Sequence, residues 1–165
     1  MKNNLLVVSL SNTYTRQVGE ALASFLEIFY VDLNDILEYN LVNSNMLESA
    51  GKQYFDMERQ RVIKSVTEYN NSLVVANLEL LLANGNLSCF KDNFFIVYLY
   101  CDKSQLESFE AKQQNRRNLY AFDEEDKIIK RVADIVIEAD INSKNQVEMI
   151  KNGIVKYLEA SDENR

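Results

Sequence analysis

Leu5-Leu6-Val7-Val8-Ser9-Leu10-Ser11-Asn12-Thr13-Tyr14-Thr15-Arg16-Gln17-Val18-Gly19 is the stretch that decides the fold. An apolar run of strand length enters a short polar turn, and Val18, Ala21, Leu22, Phe25 and Leu26 leave it at helical spacing. The order is strand, loop, helix. A phosphate cradle built on that frame needs glycines for positive φ and close backbone approach, a lysine for the β and γ phosphates, and a Ser or Thr hydroxyl for Mg²⁺. None of the three stands where that chemistry needs it.

Further along, Ile28-Phe29-Tyr30-Val31 reads as a short strand running into Asp32-Leu33-Asn34-Asp35, followed by a polar helix start with Ile36, Leu37 and Tyr39 as its apolar positions. Gly51 separates two helical segments, the second from about Gln53 to Tyr69 with Phe55, Val62, Ile63 and Val66 on one face. Leu73-Val74-Val75-Ala76, Phe94-Phe95-Ile96-Val97-Tyr98-Leu99 and Ile135-Val136-Ile137 read as three more strands. Continuous apolar runs of this kind are covered on both faces, as in parallel sheets. A helix from Asp140 to Leu158 closes the chain, carrying Val147, Ile150, Ile154, Val155 and Leu158. Between Glu107 and Asp126 the stretch Gln113-Gln114-Asn115-Arg116-Arg117-Asn118 is polar and without a core face, which reads as a lid over about 107–126.

The chain of 165 residues, 47% of them hydrophobic, has material for one domain spanning 1–165. Five strands alternating with helices predict a three-layer α/β sandwich around a five-stranded parallel sheet. The formal charge of −7 argues against nucleic acid or an anionic membrane as a partner. No apolar run has the length of a secretory hydrophobic region or a membrane span, so the expected location is cytoplasmic. The absence of histidine removes the usual general base and zinc ligand, and Cys89 and Cys101 read as buried thiols with no metal-ligand spacing. Four glycines and no proline leave few residues for ligand loops.

The order of these segments resembles the shikimate kinase family, small P-loop kinases of the nucleoside-monophosphate-kinase type. The resemblance rests on Val8 to Leu26, Tyr30-Val31-Asp32-Leu33-Asn34-Asp35-Ile36-Leu37-Glu38, Gly51-Lys52-Gln53-Tyr54-Phe55-Asp56-Met57-Glu58, Val74-Val75-Ala76, Val97-Tyr98-Leu99 and Val132-Ala133-Asp134-Ile135-Val136. It implies a P-loop kinase-like fold and, in an active member, phosphate transfer from MgATP to shikimate. Registered on Val18-Gly19, the family's G-x-x-G-x-G-K-[ST] puts its glycines on Ser9, Asn12 and Tyr14, its lysine on Thr15 and its Mg²⁺ hydroxyl on Arg16. Arg16 would repel a metal there or, alternatively, replace its charge. The family's D-x-D becomes Asp32-Leu33-Asn34, keeping the first acid, associated with the metal region, and turning the one at the substrate hydroxyls into an amide. Its F-R-x-x-E is matched to Phe55-Asp56-Met57-Glu58, placing Asp56 where an arginine would grip the substrate carboxylate. A second such arginine aligns with Glu125, the Gly-Gly-Gly loop with Asn77-Leu78-Glu79, and the lid arginine with Arg117.

Phosphoryl transfer relies on positioning and on electrostatic stabilisation by loop, lysine and metal, and all three are altered together. The expectation is a catalytically impaired, shikimate-kinase-like pseudoenzyme that binds a protein partner or a small polar ligand, with no cofactor. One alternative is an atypical active kinase, MgATP-dependent, that uses Thr15, Arg16 and Arg117 at the nucleotide. Another is a sensor whose pocket, lined by Asp32, Asn34, Asp56, Asn77, Glu79 and Glu125, takes a cationic or neutral polar metabolite.

Overall fold

The computed structural model describes residues 3–113, 119 and 121–163. Its sheet is built from Asn4–Val8 (β1), Phe29–Asp32 (β2), Ser72–Val75 (β3), Phe94–Tyr100 (β4) and Ile135–Glu138 (β5). The five strands run parallel in the order β2-β3-β1-β4-β5. Each falls on an apolar run that the sequence marks as a strand. Every residue of β1 and β3 is buried, because parallel strands need helical crossovers and those crossovers cover both faces of the central pair.

The helices are Asn12–Leu26 (α1), Leu33–Tyr39 (α2), Ser44–Ala50 (α3), Lys52–Thr67 (α4), Leu78–Leu82 (α5), Asn86–Cys89 (α6), Lys103–Lys112 (α7), Phe122–Val132 (α8) and Gln146–Glu163 (α9). α1 lies close against the sheet at Gly19. A Cβ there would stand 2.6 Å from Val75 Cγ1, so this glycine provides room for helix-to-sheet contact. The base of β1 is pinned by Asn4, whose buried amide donates to Tyr69 O (2.7 Å) and accepts from Ser72 N (3.1 Å). Its polar atoms are satisfied, which is what allows an amide to be buried there.

Several local expectations are corrected. The last helix starts at Gln146, not Asp140, because the Asp140 carboxylate accepts from Asn142 N and its carbonyl from Ser143 N, holding a turn. Tyr39 is 86% exposed and belongs to no apolar face. Cys89 is exposed, whereas Cys101 is buried. Of the segment 107–126 expected as a lid, residues 114–118 and 120 lie outside the described residues; at its described ends Glu110 of α7 and Phe122 of α8 are buried. The short helices α5 and α6 have too few turns to show periodicity. They are held by Asn86, which is fully buried, donates to Leu80 O (2.7 Å) and accepts from Gln60 (2.7 Å).

Candidate functional site

The strand order reverses direction around β1, and in open α/β sheets ligands bind in the crevice beyond the carboxyl ends of the strands at that point. In this chain the crevice floor is Ser9-Leu10-Ser11, three residues between the end of β1 and the start of α1. Asn12, Tyr14, Thr15 and Arg16, where the phosphate motif would place glycines, lysine and metal hydroxyl, all lie within the first turns of α1. Positive φ among the described residues falls at Glu27, Leu41, Gly51, Asn71, Asn84 and Gly85, none of them here. The loop has become helix. Side chains close what remains: Ser9 Oγ donates to Ser11 O (2.8 Å) and lies 2.7 Å from Thr15 Oγ1, which in turn reaches Ser11 O (3.0 Å). Ser9, Ser11 and Thr15 are buried. Ser11 caps the helix, its hydroxyl accepting from Tyr14 N (3.2 Å), as a serine at that position does.

Arg16, in the first turns of α1, ties that helix to the ends of β2 and β3. Its Nε donates to Asp32 Oδ2 at 2.6 Å and its Nη2 to Asn77 Oδ1 at 3.0 Å. Asp32, buried at the end of β2, uses its other oxygen to cap α2 by accepting from Asn34 N (2.9 Å). Asn34 Oδ1 then accepts from Asn77 N (2.9 Å), and Asn12 Oδ1 from Leu78 N (2.9 Å), while Asn12 Nδ2 donates to Glu79 (3.1 Å). These contacts bring Arg16, which the resemblance puts at the nucleotide, together with Asp32, Asn34, Asn77 and Glu79, which it puts in the substrate pocket, while Thr15 bonds to Ser9 and Ser11 instead. The Arg16 guanidinium sits on the acid that the resemblance assigns to the metal region.

The remaining candidates lie apart or elsewhere. Asp56 faces its own helix, bonded to Lys52 Nζ (2.5 Å) and Arg59 Nη2 (2.9 Å), and the Lys52 hydrogen bond is the main influence holding its carboxyl below the usual range. The F-R-x-x-E pattern spans five residues, so counted from Phe55 its acid position falls on Arg59, not Glu58. The pattern's arginine and glutamate positions therefore carry Asp56 and Arg59, paired with their signs exchanged. Arg59 also lies over the Phe55 ring at 5.2 Å, while Glu58 pairs outward with Arg61 (2.9 Å). Glu125 is in the first turn of α8. Arg117 lies outside the described residues.

Three features were not legible in the sequence. Tyr14, 1% exposed, packs edge-on to Phe109 of α7 and donates from its hydroxyl to Gln146 Oε1 (2.8 Å). Burial, then the nearby Cys101, pushes its phenol well above the usual range, so it is a neutral donor. Glu110 of α7, 3% exposed, accepts from the Ser11 hydroxyl. Beside them opens a cavity of about 350 Å³ between α1, α7 and the turn before α9, walled by Tyr14, Gln17, Phe109, Lys112, Asn142 and Gln146. No carboxylate lines it among the described residues. The signal for these features is weak because the contacts join residues about a hundred positions apart.

The MgATP that the resemblance implies does not fit these residues. The cradle is a helical turn, the Thr15 hydroxyl is committed to Ser9 and Ser11, and a guanidinium holds the acid at the end of β2. Among the described residues no group of three or more Cys, His, Asp or Glu is arranged to hold a metal, and no helix is long and apolar enough to cross a membrane.

Comparison with known proteins places this altered site on a familiar frame. The family model "Shikimate kinase" matches residues 16–158. A shikimate kinase of Dehalococcoides mccartyi is 22% identical, covering 97% of this chain and 98% of its own length. The crystal structure of a shikimate kinase from Bacteroides thetaiotaomicron is similar at TM-score 0.71 with 14% identity, covering 94% of this chain and 98% of that one. One from Acinetobacter baumannii, in complex with shikimate, is similar at TM-score 0.69 with 18% identity, covering 100% and 96%. The matched span runs from the first turns of α1 into α9 and takes in every strand but β1, and by it the chain belongs to the shikimate kinase family.

Proposed function

We propose that this family member does not transfer phosphate and serves in the cytoplasm as a binding module for a small, uncharged polar ligand. The observation that carries the reading is the start of α1 at Asn12, which turns the phosphate cradle into a capped helical turn. Phosphoryl transfer needs backbone N–H groups, a lysine and Mg²⁺ converging on the phosphates, and a helical turn with Thr15 at the lysine position and Arg16 bound to Asp32 supplies neither the lysine nor the metal position. The cavity beside Tyr14 supports the choice of ligand: two aromatic walls and several amides favour a planar or polyhydroxylated polar molecule, and Lys112 is its one charged lining residue among those described. Two of the four acids expected to attract a cation are already ion-paired, Asp32 with Arg16 and Asp56 with Lys52 and Arg59. The charge of −7 argues against nucleic acid or an anionic membrane as the partner.

Titration calorimetry with millimolar ATP, with and without Mg²⁺ and shikimate, tests the reading. No Mg²⁺-dependent saturation is expected, nor any shikimate-dependent release of ADP. A thermal-shift screen of polyols, amides, amines and nucleosides is then expected to find ligands whose effect is lost in Gln146→Leu. Saturable, Mg²⁺-dependent ATP binding would restore the atypical-kinase alternative and make Arg16 a nucleotide contact. A screen answered only by amines would favour the sensor of cations.

A further inference from the structure

α1 is a fifteen-residue helix whose cap Ser11 and first-turn Tyr14 and Thr15 are buried, with Asn12 and Thr13 half-buried, and it carries no acid in its first turn. A helix start presents unpaired N–H groups and the positive end of the helix dipole, equivalent to about half an elementary charge. Burial removes the water that would otherwise answer that field. The answer comes from Glu110, ninety-nine positions away on α7. Its carboxyl group is reached from Tyr14 N through one hydroxyl: Ser11 Oγ accepts from the backbone N–H at 3.2 Å and donates to Glu110 Oε1. The other oxygen, Oε2, is buried and has no hydrogen-bond partner among the described residues. A carboxylate with a bare buried oxygen is costly unless something compensates its charge. The compensation available at this place is the α1 N-terminus.

We propose that Glu110 is an internal anion that occupies the N-terminus of α1 and keeps it closed to free oxyanions, an autoinhibitory contact that also fastens α7 to α1. The ligand class it excludes is the small oxyanion, with inorganic phosphate as the probe. The proposal shares with the proposed function only the location of the site. Its failure is distinguishable, because MgATP binding to the parent would sink the first reading, whereas phosphate-blind Glu110 variants would sink this one.

The experiment compares the parent with Glu110→Ala and Glu110→Gln in phosphate and in chloride at matched ionic strength, by thermal shift and by ¹H–¹⁵N spectra. The expected result is no saturable phosphate response in the parent. In Glu110→Ala, phosphate affinity should rise by roughly 5- to 30-fold, the size of helix-terminus interactions with one charge, with shifts centred on the amides of Ser11 to Tyr14. Glu110→Gln keeps the shape and the Ser11 hydrogen bond but not the charge. It should remain less stable than the parent in chloride and recover part of the loss in phosphate. A Glu110→Gln variant as stable as the parent and indifferent to phosphate would show that the side chain matters only for its shape and hydrogen bond. That result overturns the proposal, as would equal phosphate binding by the parent and Glu110→Ala.

Discussion

Replacing Arg16 by methionine keeps the apolar stem and removes the guanidinium from the ends of β2 and β3 at once. The lost contacts are the 2.6 Å ion pair with Asp32 and the 3.0 Å hydrogen bond to Asn77. An exposed ion pair is worth up to about 1 kcal/mol, and removing one partner of a fully buried pair costs about 3–5 kcal/mol. Here the acid side chain is 5% exposed and the arginine 42%, so the cost falls between those limits, about 2 kcal/mol. For a domain of this size that lowers Tm by about 4–8 °C. Asp32→Asn preserves the α2 cap, since asparagine caps as well as aspartate, but removes the partner charge. The Arg16→Met/Asp32→Asn double variant should therefore lose about 1 kcal/mol less than the sum of the singles. Urea unfolding and calorimetry on all four proteins give the cycle. A single-variant cost under about 0.5 kcal/mol, or strict additivity, would refute the argument that the Arg16–Asp32 pair stabilises the fold.

Gly19→Ala should destabilise by about 1–2 kcal/mol, the steric cost against Val75 exceeding the helix-propensity gain, and Val75→Ala in the same chain should relieve the clash. Chemical denaturation of the single and paired variants measures both. Stability should hold up to about pH 10 and then fall, because burial, with Asp32 and Glu20 after it, pushes Tyr30 up to about 12, and Tyr14 and Tyr98 are raised as well, chiefly by burial. A raised phenol pKa means that the folded state holds its proton more tightly, so this contribution is complete below the unfolded value of about 10 and lost as pH passes through the folded one. Tyrosinate absorbance followed alongside circular dichroism should show these phenols ionising late, with unfolding, and one smooth transition near the ordinary value would contradict it. Restoring the phosphate motif by Ser9→Gly, Asn12→Gly, Tyr14→Gly, Thr15→Lys and Arg16→Ser should yield a much less stable protein with no shikimate phosphorylation. Two of its glycines fall inside α1, at about 1 kcal/mol each. Loss of the buried Tyr14 ring adds about 3–5 kcal/mol. Measurable turnover by that variant would overturn the pseudoenzyme reading.

The sheet was legible because its cause is local. Five apolar runs of strand length, separated by amphipathic segments, can bury both faces only as parallel strands with helical crossovers, and hydrophobic burial is insensitive to which apolar residue fills each place. The loss of the phosphate motif was legible for a similar reason, since glycine, lysine and a metal-facing hydroxyl have no substitutes among Tyr14, Thr15 and Arg16.

What took the motif's place depended on distant partners. The sequence alone determined that α1 follows β1 and that no phosphate cradle of the usual composition joins them. Only the tertiary structure decided that Arg16 meets Asp32 rather than solvent, that Tyr14 turns its ring to Phe109 and its hydroxyl to Gln146, and that Glu110 reaches Ser11. Hydrogen bonds and ion pairs act over about 3 Å, and in this fold the groups that make them lie on separate crossovers. Their meeting is set by how the helices dock on the sheet, which residue identity along the chain does not encode one segment at a time.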